Sequence, residues 1–293
     1  MYSQFQPVGD GCRPVSLKSM AIPATPRITV LAPHPDDFDA IGVTMQLFQT
    51  NGNHINVAVL TSGASGVENG FGGASTDEAK GLLREKEQQA SVHFFGLPES
   101  ELSFLHLSED DQGHPENSTA NRELIRSYLV SKNPQFVFLP HGNDTNPGHH
   151  LTHAFLRQIL NEEKLSVIAF LNRDPKTISL RQDLYTEFGA EAANWKSELL
   201  RFHQSQHQRN LNQRGHGFDE RILQLNRQIA VELNNGDSFA EAFELEFFGS
   251  SFELLLRPDE VLSGIPDAPV LEVADNAFGV LFQAHHVGVG GLA

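Results

Sequence analysis

Cysteine is nearly absent from this chain of 293 residues, which contains only Cys12. A single cysteine excludes an intramolecular disulfide and a cysteine-rich zinc site. Sparse use of cysteine is typical of the reducing cytosol, so we expect a cytoplasmic protein. No stretch approaches the roughly 20 consecutive apolar residues that span a bilayer, and no apolar segment of signal-peptide length opens the chain. We therefore expect no membrane insertion.

Basic residues are also few, since 21 Lys and Arg stand against 37 Asp and Glu, for a net charge of −16. A surface this acidic repels phosphate backbones and anionic lipids, which excludes nucleic acid as an expected partner. A small-molecule substrate fits better, and a strongly anionic one would need local basic groups. The oligomeric state stays open, since a homo-oligomer is compatible with this composition.

Three common catalytic motifs are missing as well. No Gly-x-Gly-x-x-Gly opens a helix after the first predicted strand, which argues against dinucleotide binding. The glycine-rich stretch 62–73 lacks Gly-Lys-Ser/Thr, so it is not a Walker phosphate loop. No Gly-x-Ser-x-Gly is present, so nothing favours a serine hydrolase.

The hydrophobic pattern predicts alternating strands and helices. Short apolar runs predict buried strands at 27–33, 55–60, 135–140 and 166–171. Helical spacing predicts helices at 39–50, 77–95, 121–132 and 151–162. This alternation is typical of a Rossmann-like α/β fold, in which a mostly parallel sheet carries helices on both faces.

The pattern changes at both ends of the chain. Residues 1–26 mix Gly, Pro and polar residues and predict an irregular arm. We assign 27–293 to a single α/β domain, of which about 189–293 form a helical and strand-rich extension. Within the extension we predict helices at 195–212 and 219–234 and weaker strands at 247–256 and 270–273.

Histidines and carboxylates follow two of the predicted strands. His34-Pro-Asp36-Asp37 comes directly after the first strand, and a cluster with His149, His150 and His153 follows the strand at 135–140. Ligands gather at the carboxyl ends of parallel strands, so these side chains should lie close together. Imidazole and carboxylate suit zinc or a similar divalent ion. Three ligands can come from His34, one Asp of the pair and a His of the second cluster, which leaves the other Asp as a base.

The first of these segments resembles a family signature. Ala32-Pro-His34-Pro-Asp36-Asp37-Phe-Asp39, followed by Gly42, is similar to the A-H-P-D-D-x-E motif of the PIG-L/LmbE-like N-acetylglucosaminyl deacetylases. Further similar segments follow in the family's order: Leu60–Gly66, Arg84–Ala90, the second His cluster, Lys196 with His203-Gln-Ser-Gln206, and Phe239–Phe243. The resemblance therefore runs from about residue 27 to 245.

The resemblance implies a role for each matched residue. His34, Asp37 and His153 would bind Zn²⁺, and Asp36 would be the general base. His150 would polarise the amide carbonyl and stabilise the oxyanion. The reaction would be hydrolysis of an N-acetyl or other N-acyl amide on a small glucosamine-like substrate.

The second His cluster departs from the family motif. The family's H-P-D-H reads His150-Leu-Thr-His153 here, so its Asp is missing, although Asp144 is available to orient an imidazole. His149 competes with His150 for the role of electrophile. The departure leaves two alternatives open, a non-catalytic carbohydrate-binding protein and a metal-dependent phosphoesterase. Fe²⁺ is an alternative to Zn²⁺, since the donor types accept both.

Two arginines are candidate substrate contacts. Arg84 is placed to bind a substrate hydroxyl or phosphate, with an ion pair to Glu87 as the alternative. Arg181 follows the strand at 166–171 and should therefore lie at the same sheet edge, where it is a candidate to hold an acyl or sugar oxygen.

Overall fold

The computed structural model describes residues 14–249, apart from residues 21, 235 and 237. The strands of this part are β1 (Val15–Ser16), β2 (Ile28–Ala32), β3 (Ile55–Val59), β4 (Leu102–Phe104), β5 (Phe136–Pro140), β6 (Val167–Asn172), β7 (Leu184–Phe188) and β8 (Phe239–Phe248). Its α-helices are α1 (Gly42–Thr50), α2 (Asp77–Phe95), α3 (Thr119–Lys132), α4 (Pro147–Glu163), α5 (Ala190–Arg201), α6 (Gln204–Arg214) and α7 (Phe218–Leu233). None of these helices is long and apolar enough to cross a lipid bilayer.

All eight strands lie in one sheet, in the order β1-β7-β8-β6-β5-β2-β3-β4. Every neighbouring pair is parallel except the two made by β8, which runs antiparallel to both β6 and β7. Successive residues of β2 face opposite sides, since Val30 packs with Phe48 of α1 whereas Leu31 packs with Leu129 of α3. Helices thus cover both faces of a mostly parallel sheet, which confirms the predicted fold class.

The C-terminal part of the fold differs from the sequence prediction. The strand predicted at 247–256 overlaps β8 only at residues 247 and 248, and residues 250–256 lie outside the described residues. Strand β8 lies inside the sheet between β6 and β7. The predicted helix 195–212 is two helices, α5 and α6, and His203 Nε2 at the break lies 2.7 Å from the buried Asp39 carboxylate. Val15–Ser16 pairs with β7, so the segment predicted as an irregular arm supplies an edge strand. The strand expected at 270–273 lies outside the described residues.

A buried ion pair joins this C-terminal part to the first helix. Lys196 of α5 donates to the Glu241 carboxylate of β8 over 2.7 Å and to the Ala40 carbonyl over 2.6 Å. The same carboxylate accepts the backbone N–H groups of Val43 and Thr44, at 3.1 and 2.8 Å. Because these N–H groups belong to the first turn of α1, Glu241 caps that helix from a distant strand. The contact fixes the segment that follows Asp36 and Asp37.

Candidate metal centre and active site

Loops after three adjacent strands meet at the carboxyl edge of the sheet. His34, Asp36 and Asp37 follow β2, His149 lies in the first turn of α4 after β5, and Asp174 follows β6. All five side chains line one cavity of about 380 Å³. A cavity of this size at the strand ends of an α/β sheet suits a small-molecule ligand.

His34, Asp37 and His149 form a group with the geometry of a metal site. One ligand atom from each lies within 4.8 Å of the others. The two oxygens of the Asp37 carboxylate face the two imidazoles, at 3.2 Å from His34 Nδ1 and 3.4 Å from His149 Nε2. Two imidazoles and one carboxylate are a donor set that zinc and similar divalent ions accept. The residues therefore fit a divalent cation.

The electrostatics of the group in the metal-free protein point the same way. Burial acts to raise the pKa of Asp37, but the charge of His149 and hydrogen bonds from both imidazoles hold it well below its usual value. Burial acts to lower the pKa of His149, but Asp37 and Asp144 raise it well above its usual value. The site thus gathers positive charge beside a buried carboxylate, which is the place that a bound cation would take.

His149 also belongs to a second group of carboxylates. Asp144 Oδ2 lies 3.4 Å from His149 Nδ1, and Asp144, His149 and Asp174 have ligand atoms within 4.8 Å of one another. Asp144 itself is held by the Asn146 backbone N–H at 2.6 Å and by the Thr177 hydroxyl at 3.1 Å. The two groups share His149, so they do not supply two independent sets of ligands. Asp144 instead lies beside the second nitrogen of this imidazole, within ion-pair distance.

Asp36 lies beside the metal group in an unusual backbone conformation. Its φ is 112°, outside the region that residues with a Cβ normally adopt. The conformation is supported from α2, since Gln88 accepts the Asp36 backbone N–H at 2.9 Å and Arg84 donates to the Asp36 carboxylate at 2.9 Å. Arg84 also donates to the Pro35 carbonyl. The backbone of Asp36 is strained, and these contacts hold its carboxylate in a fixed direction at the cavity.

Gly63 makes room for this arrangement. It adopts a φ of 63°, and a Cβ there would lie 3.0 Å from Pro35 Cδ and 3.2 Å from Arg84 Nε. The close approach explains why the glycine-rich stretch after β3 begins at this position. Arg84 is thus buried and lines the cavity, where its Nη2 donates to both Asp36 and the Pro35 carbonyl and its Nη1 lies 3.7 Å from Glu87.

Two predicted residues of α4 lie elsewhere and need correction. The exposed His150 bonds through Nδ1 to the Gly142 carbonyl at 2.9 Å, and it does not line the cavity. His153 bonds through Nε2 to Glu246 of β8 at 3.0 Å and packs so closely on Gly142 that a Cβ there would meet its ring. The cause is helical geometry, because successive residues of a helix point about 100° apart, so His149 and His150 face different sides and His153 lies a further turn along α4.

Arg181 also differs from its prediction. Its guanidinium makes two bonds of 2.7 Å to the Asp183 carboxylate, and a third nitrogen lies 3.3 Å from Glu244. Arg181 is not among the residues that line the cavity. The antiparallel strand β8, which the sequence did not place in the sheet, supplies Glu244 and draws this arginine toward itself.

Comparison with known proteins agrees with the N-terminal motifs. Residues 29–160 match the family model described as PIG-L, GlcNAc-PI de-N-acetylase. The matched segment is a little under half of the chain and is called the PIG-L domain below. The resemblance carried by the His34-Pro-Asp36-Asp37 motif is thereby confirmed over these residues. A sequence search against curated proteins finds no match.

Solved structures share the fold beyond the PIG-L domain. N,N'-diacetylchitobiose deacetylase from Pyrococcus horikoshii aligns over 75% of this chain and 83% of its own, with 16% identity and a TM-score of 0.62. A 4-carboxy-2-hydroxymuconate hydratase from Pseudomonas putida aligns over 75% and 96%, with 17% identity and a TM-score of 0.60. The zinc-inhibited form of a teicoplanin deacetylase aligns over 75% and 98%, with 16% identity and a TM-score of 0.55.

A proline in the PIG-L domain carried the signal that sequence reasoning missed. If the proline of the family's H-P-D-H is placed on Pro147, the motif reads Asn146-Pro147-Gly148-His149, and His149 takes the last position. Pro147 is the first residue of α4, and the Asn146 side chain caps the helix by accepting the Gly148 N–H at 2.9 Å. Helix-start chemistry thus identifies the register that counting histidines did not.

Residues beyond the PIG-L domain complete the cavity. Helix α6 and the start of α7 contribute Arg209, Asn210, Arg214, Phe218 and Arg221 to its lining. No local motif marks these positions, since they are distributed over two polar helices. The sequence therefore predicted the half of the cavity at the strand ends and missed the half made by α6 and α7.

Proposed function

We propose that the chain hydrolyses the N-acyl amide, most simply N-acetyl, of a small glucosamine-like substrate and releases acetate. The observation that carries the proposal is the group of His34, Asp37 and His149 beside Asp36, in a cavity at the strand ends of a PIG-L domain. The description of that family and the deacetylases of the same fold support this chemistry.

His34, Asp37 and His149 would hold the metal ion, with His149 in the place that the sequence gave to His153. A zinc ion there would supply Lewis acidity, polarising a carbonyl oxygen and making water more acidic. The donor set accepts Fe²⁺ too, and a deacetylase of this fold is described in a zinc-inhibited form. We propose Zn²⁺ as the ion, and the metal experiment below includes the alternative.

Asp36 is the proposed general base. It accepts a proton from water as the water oxygen attacks the amide carbon, and it returns the proton to the nitrogen when the carbon–nitrogen bond breaks. Arg84 holds the carboxylate toward the cavity by their contact of 2.9 Å. Asn146 lines the cavity beside the metal group, and its amide nitrogen is the proposed donor to the oxyanion in place of His150.

The decisive test combines metal analysis with acetate release. We expect about one divalent ion per chain and acetate release from N-acetylglucosamine or its glycosides that stops when a chelator removes the ion and returns with Zn²⁺ or Fe²⁺. Asp36→Asn should lower kcat by about 100-fold to 10,000-fold while the metal content is kept. The exposed Asp77 on α2 provides the control Asp77→Asn, which should behave like the unmodified protein.

Two outcomes would contradict the proposal. A chain that binds no divalent ion under any of these conditions lacks the metal site. A chain that binds the ion but releases acetate equally well with Asp36→Asn does not use this carboxylate as its base. In the first case a carbohydrate-binding protein on the same fold becomes the better explanation.

A further inference from the structure

Three arginines line the cavity without an ion pair. Arg209 and Arg214 come from α6, and Arg221 comes from the second turn of α7. Among the described residues, none of their guanidinium groups has a carboxylate oxygen within 4.0 Å. Their hydrogen-bond partners are neutral, as Arg209 donates to the Gly66 carbonyl at 3.3 Å and Arg214 contacts side-chain oxygens of two neighbouring amides.

Several other arginines of the same chain are paired. Arg126, Arg173 and Arg201 each lie within 2.8 Å of a carboxylate oxygen. Acidic residues outnumber basic ones by 37 to 21, so a partner for any cation is easy to find. Three further arginines of the described residues also lack a carboxylate within 4.0 Å, but none of them lines the cavity: Arg27, Arg122 and Arg227. The distinguishing feature of Arg209, Arg214 and Arg221 is therefore that three unpaired guanidinium groups line one cavity.

The arrangement is costly when the cavity holds only water. Arg209 and Arg221 are half-buried, and burial followed by the charge of Arg214 lowers the pKa of each guanidinium. Asp174 and Asp36 act on Arg221 in the opposite direction, from beyond ion-pair distance. Concentrated positive charge of this kind is relieved by a bound anion, whose oxygens accept charge-assisted hydrogen bonds from the planar guanidinium groups.

We propose that Arg209, Arg214 and Arg221 bind an anionic group, a phosphate or a carboxylate, that the acylated sugar carries away from its amide. The inference rests on the proposed function and specifies its substrate class. Arg84 is not part of this subsite, because it is fully buried and ion-paired with Asp36 at 2.9 Å and Glu87 at 3.7 Å. The local basic groups explain how a chain with a net charge of −16 accepts an anionic substrate.

Kinetics with matched substrates test the subsite. Acetate release is measured for N-acetylglucosamine, its 1-phosphate, its 6-phosphate and N-acetylmuramic acid, which carries a carboxylate. We expect the KM of at least one anionic substrate to be about tenfold or more below that of the neutral sugar, as each charge-assisted contact contributes roughly this factor. The anionic substrate with the lowest KM shows whether the subsite prefers a phosphate or a carboxylate.

Charge-removing variants locate the effect. Arg221→Gln and Arg214→Gln should raise the KM of the preferred anionic substrate about tenfold and leave that of N-acetylglucosamine unchanged. Arg221→Lys should restore part of the advantage. Arg122→Gln is the control, because it removes the same charge from a partly buried position on α3 that does not line the cavity. Equal KM values for neutral and anionic substrates in all these proteins would overturn the subsite and leave the deacetylase proposal intact.

A binding measurement separates the two proposals when no substrate turns over. Calorimetric titration of the metal-loaded protein with inorganic phosphate and with malonate should show binding that Arg221→Gln weakens and Arg122→Gln does not. Such binding without acetate release supports the subsite and counts against the proposed reaction. Absence of binding by both anions overturns the subsite. Melting temperatures confirm folding, and Arg221→Gln should not lower the melting temperature, because the residue has no ion pair to lose.

Discussion

His149 and His153 lie one turn apart on α4, and each imidazole contacts a carboxylate, yet they serve different parts of the molecule. His149 is buried between Asp37 after β2 and Asp144 after β5. His153 is half-buried and pairs with Glu246 on the antiparallel strand β8. The comparison teaches that spacing along a helix does not assign a ligand. The proposed ligand is instead the imidazole that reaches the strand end beside Asp37.

Replacing each histidine with alanine should give the largest difference in metal affinity and acetate release. We expect His149→Ala to lower metal affinity and acetate release by at least about 100-fold, because even a partner outside the ligand set typically contributes 10- to 100-fold. His153→Ala should keep the metal and most of the activity. Metal analysis and acetate release check both variants. Loss of metal from His153→Ala with retention in His149→Ala would return the ligand role to His153.

Neutralising the carboxylate beside each histidine should give a smaller difference in metal affinity than replacing the histidines. Asp144→Asn should weaken metal binding about 10- to 100-fold, since Asp144 contacts the second nitrogen of His149 at 3.4 Å. Glu246→Gln makes the same change beside His153 and should leave metal affinity unaltered. Titration with a competing chelator measures both affinities. Equal losses in the two variants would show that the carboxylates act through net charge and not through His149.

The smallest expected effect is on stability at acid pH. Burial acts to raise the pKa of Glu246, but the hydrogen bond and charge of His153 lower it below its usual value of 4.5. The native state thus binds this proton less readily than the unfolded state, so the pair stabilises the fold above about pH 4.5 and loses this contribution as the pH falls further. We expect a loss of about 1 kcal/mol or less, given the partial exposure of the pair.

Urea unfolding of the chelator-treated protein between pH 7 and pH 3 measures this effect. The free energy of unfolding should fall less steeply for His153→Ala than for the unmodified chain, because Glu246 in the variant has lost the partner that lowers its pKa. Identical slopes for the two proteins would mean that the pair contributes nothing to acid stability.

Local patterns account for what the sequence predicted correctly. Helix α2 has the predicted bounds Asp77–Phe95, because Thr76 caps its start and Gly96 ends it in the left-handed region. The buried strands β2, β3, β5 and β6 lie within a residue of their apolar runs. His34, Asp36 and Asp37 reach the cavity because they directly follow the carboxyl end of β2, where ligands of parallel sheets bind.

The missed features depend on contacts between distant parts of the chain. Strand β8 pairs with β6 and β7 in antiparallel register, and no local signal specifies that insertion into the sheet. Its Glu244 and Glu246 attract Arg181 and His153 away from the cavity. The arginines of α6 and α7 reach the cavity only once these helices pack over the strand ends. Tertiary packing, and not side-chain type, decided these positions.

The buried contact between Glu241 and the start of α1 has a consequence for where this protein can be divided. The family match ends at residue 160, before β6 and β8 and before Lys196. A fragment cut there would expose one side of β5 and leave the first turn of α1 without its capping carboxylate. The boundary of sequence similarity is therefore not a boundary of autonomous folding, and a minimal expression fragment has to extend through Phe248.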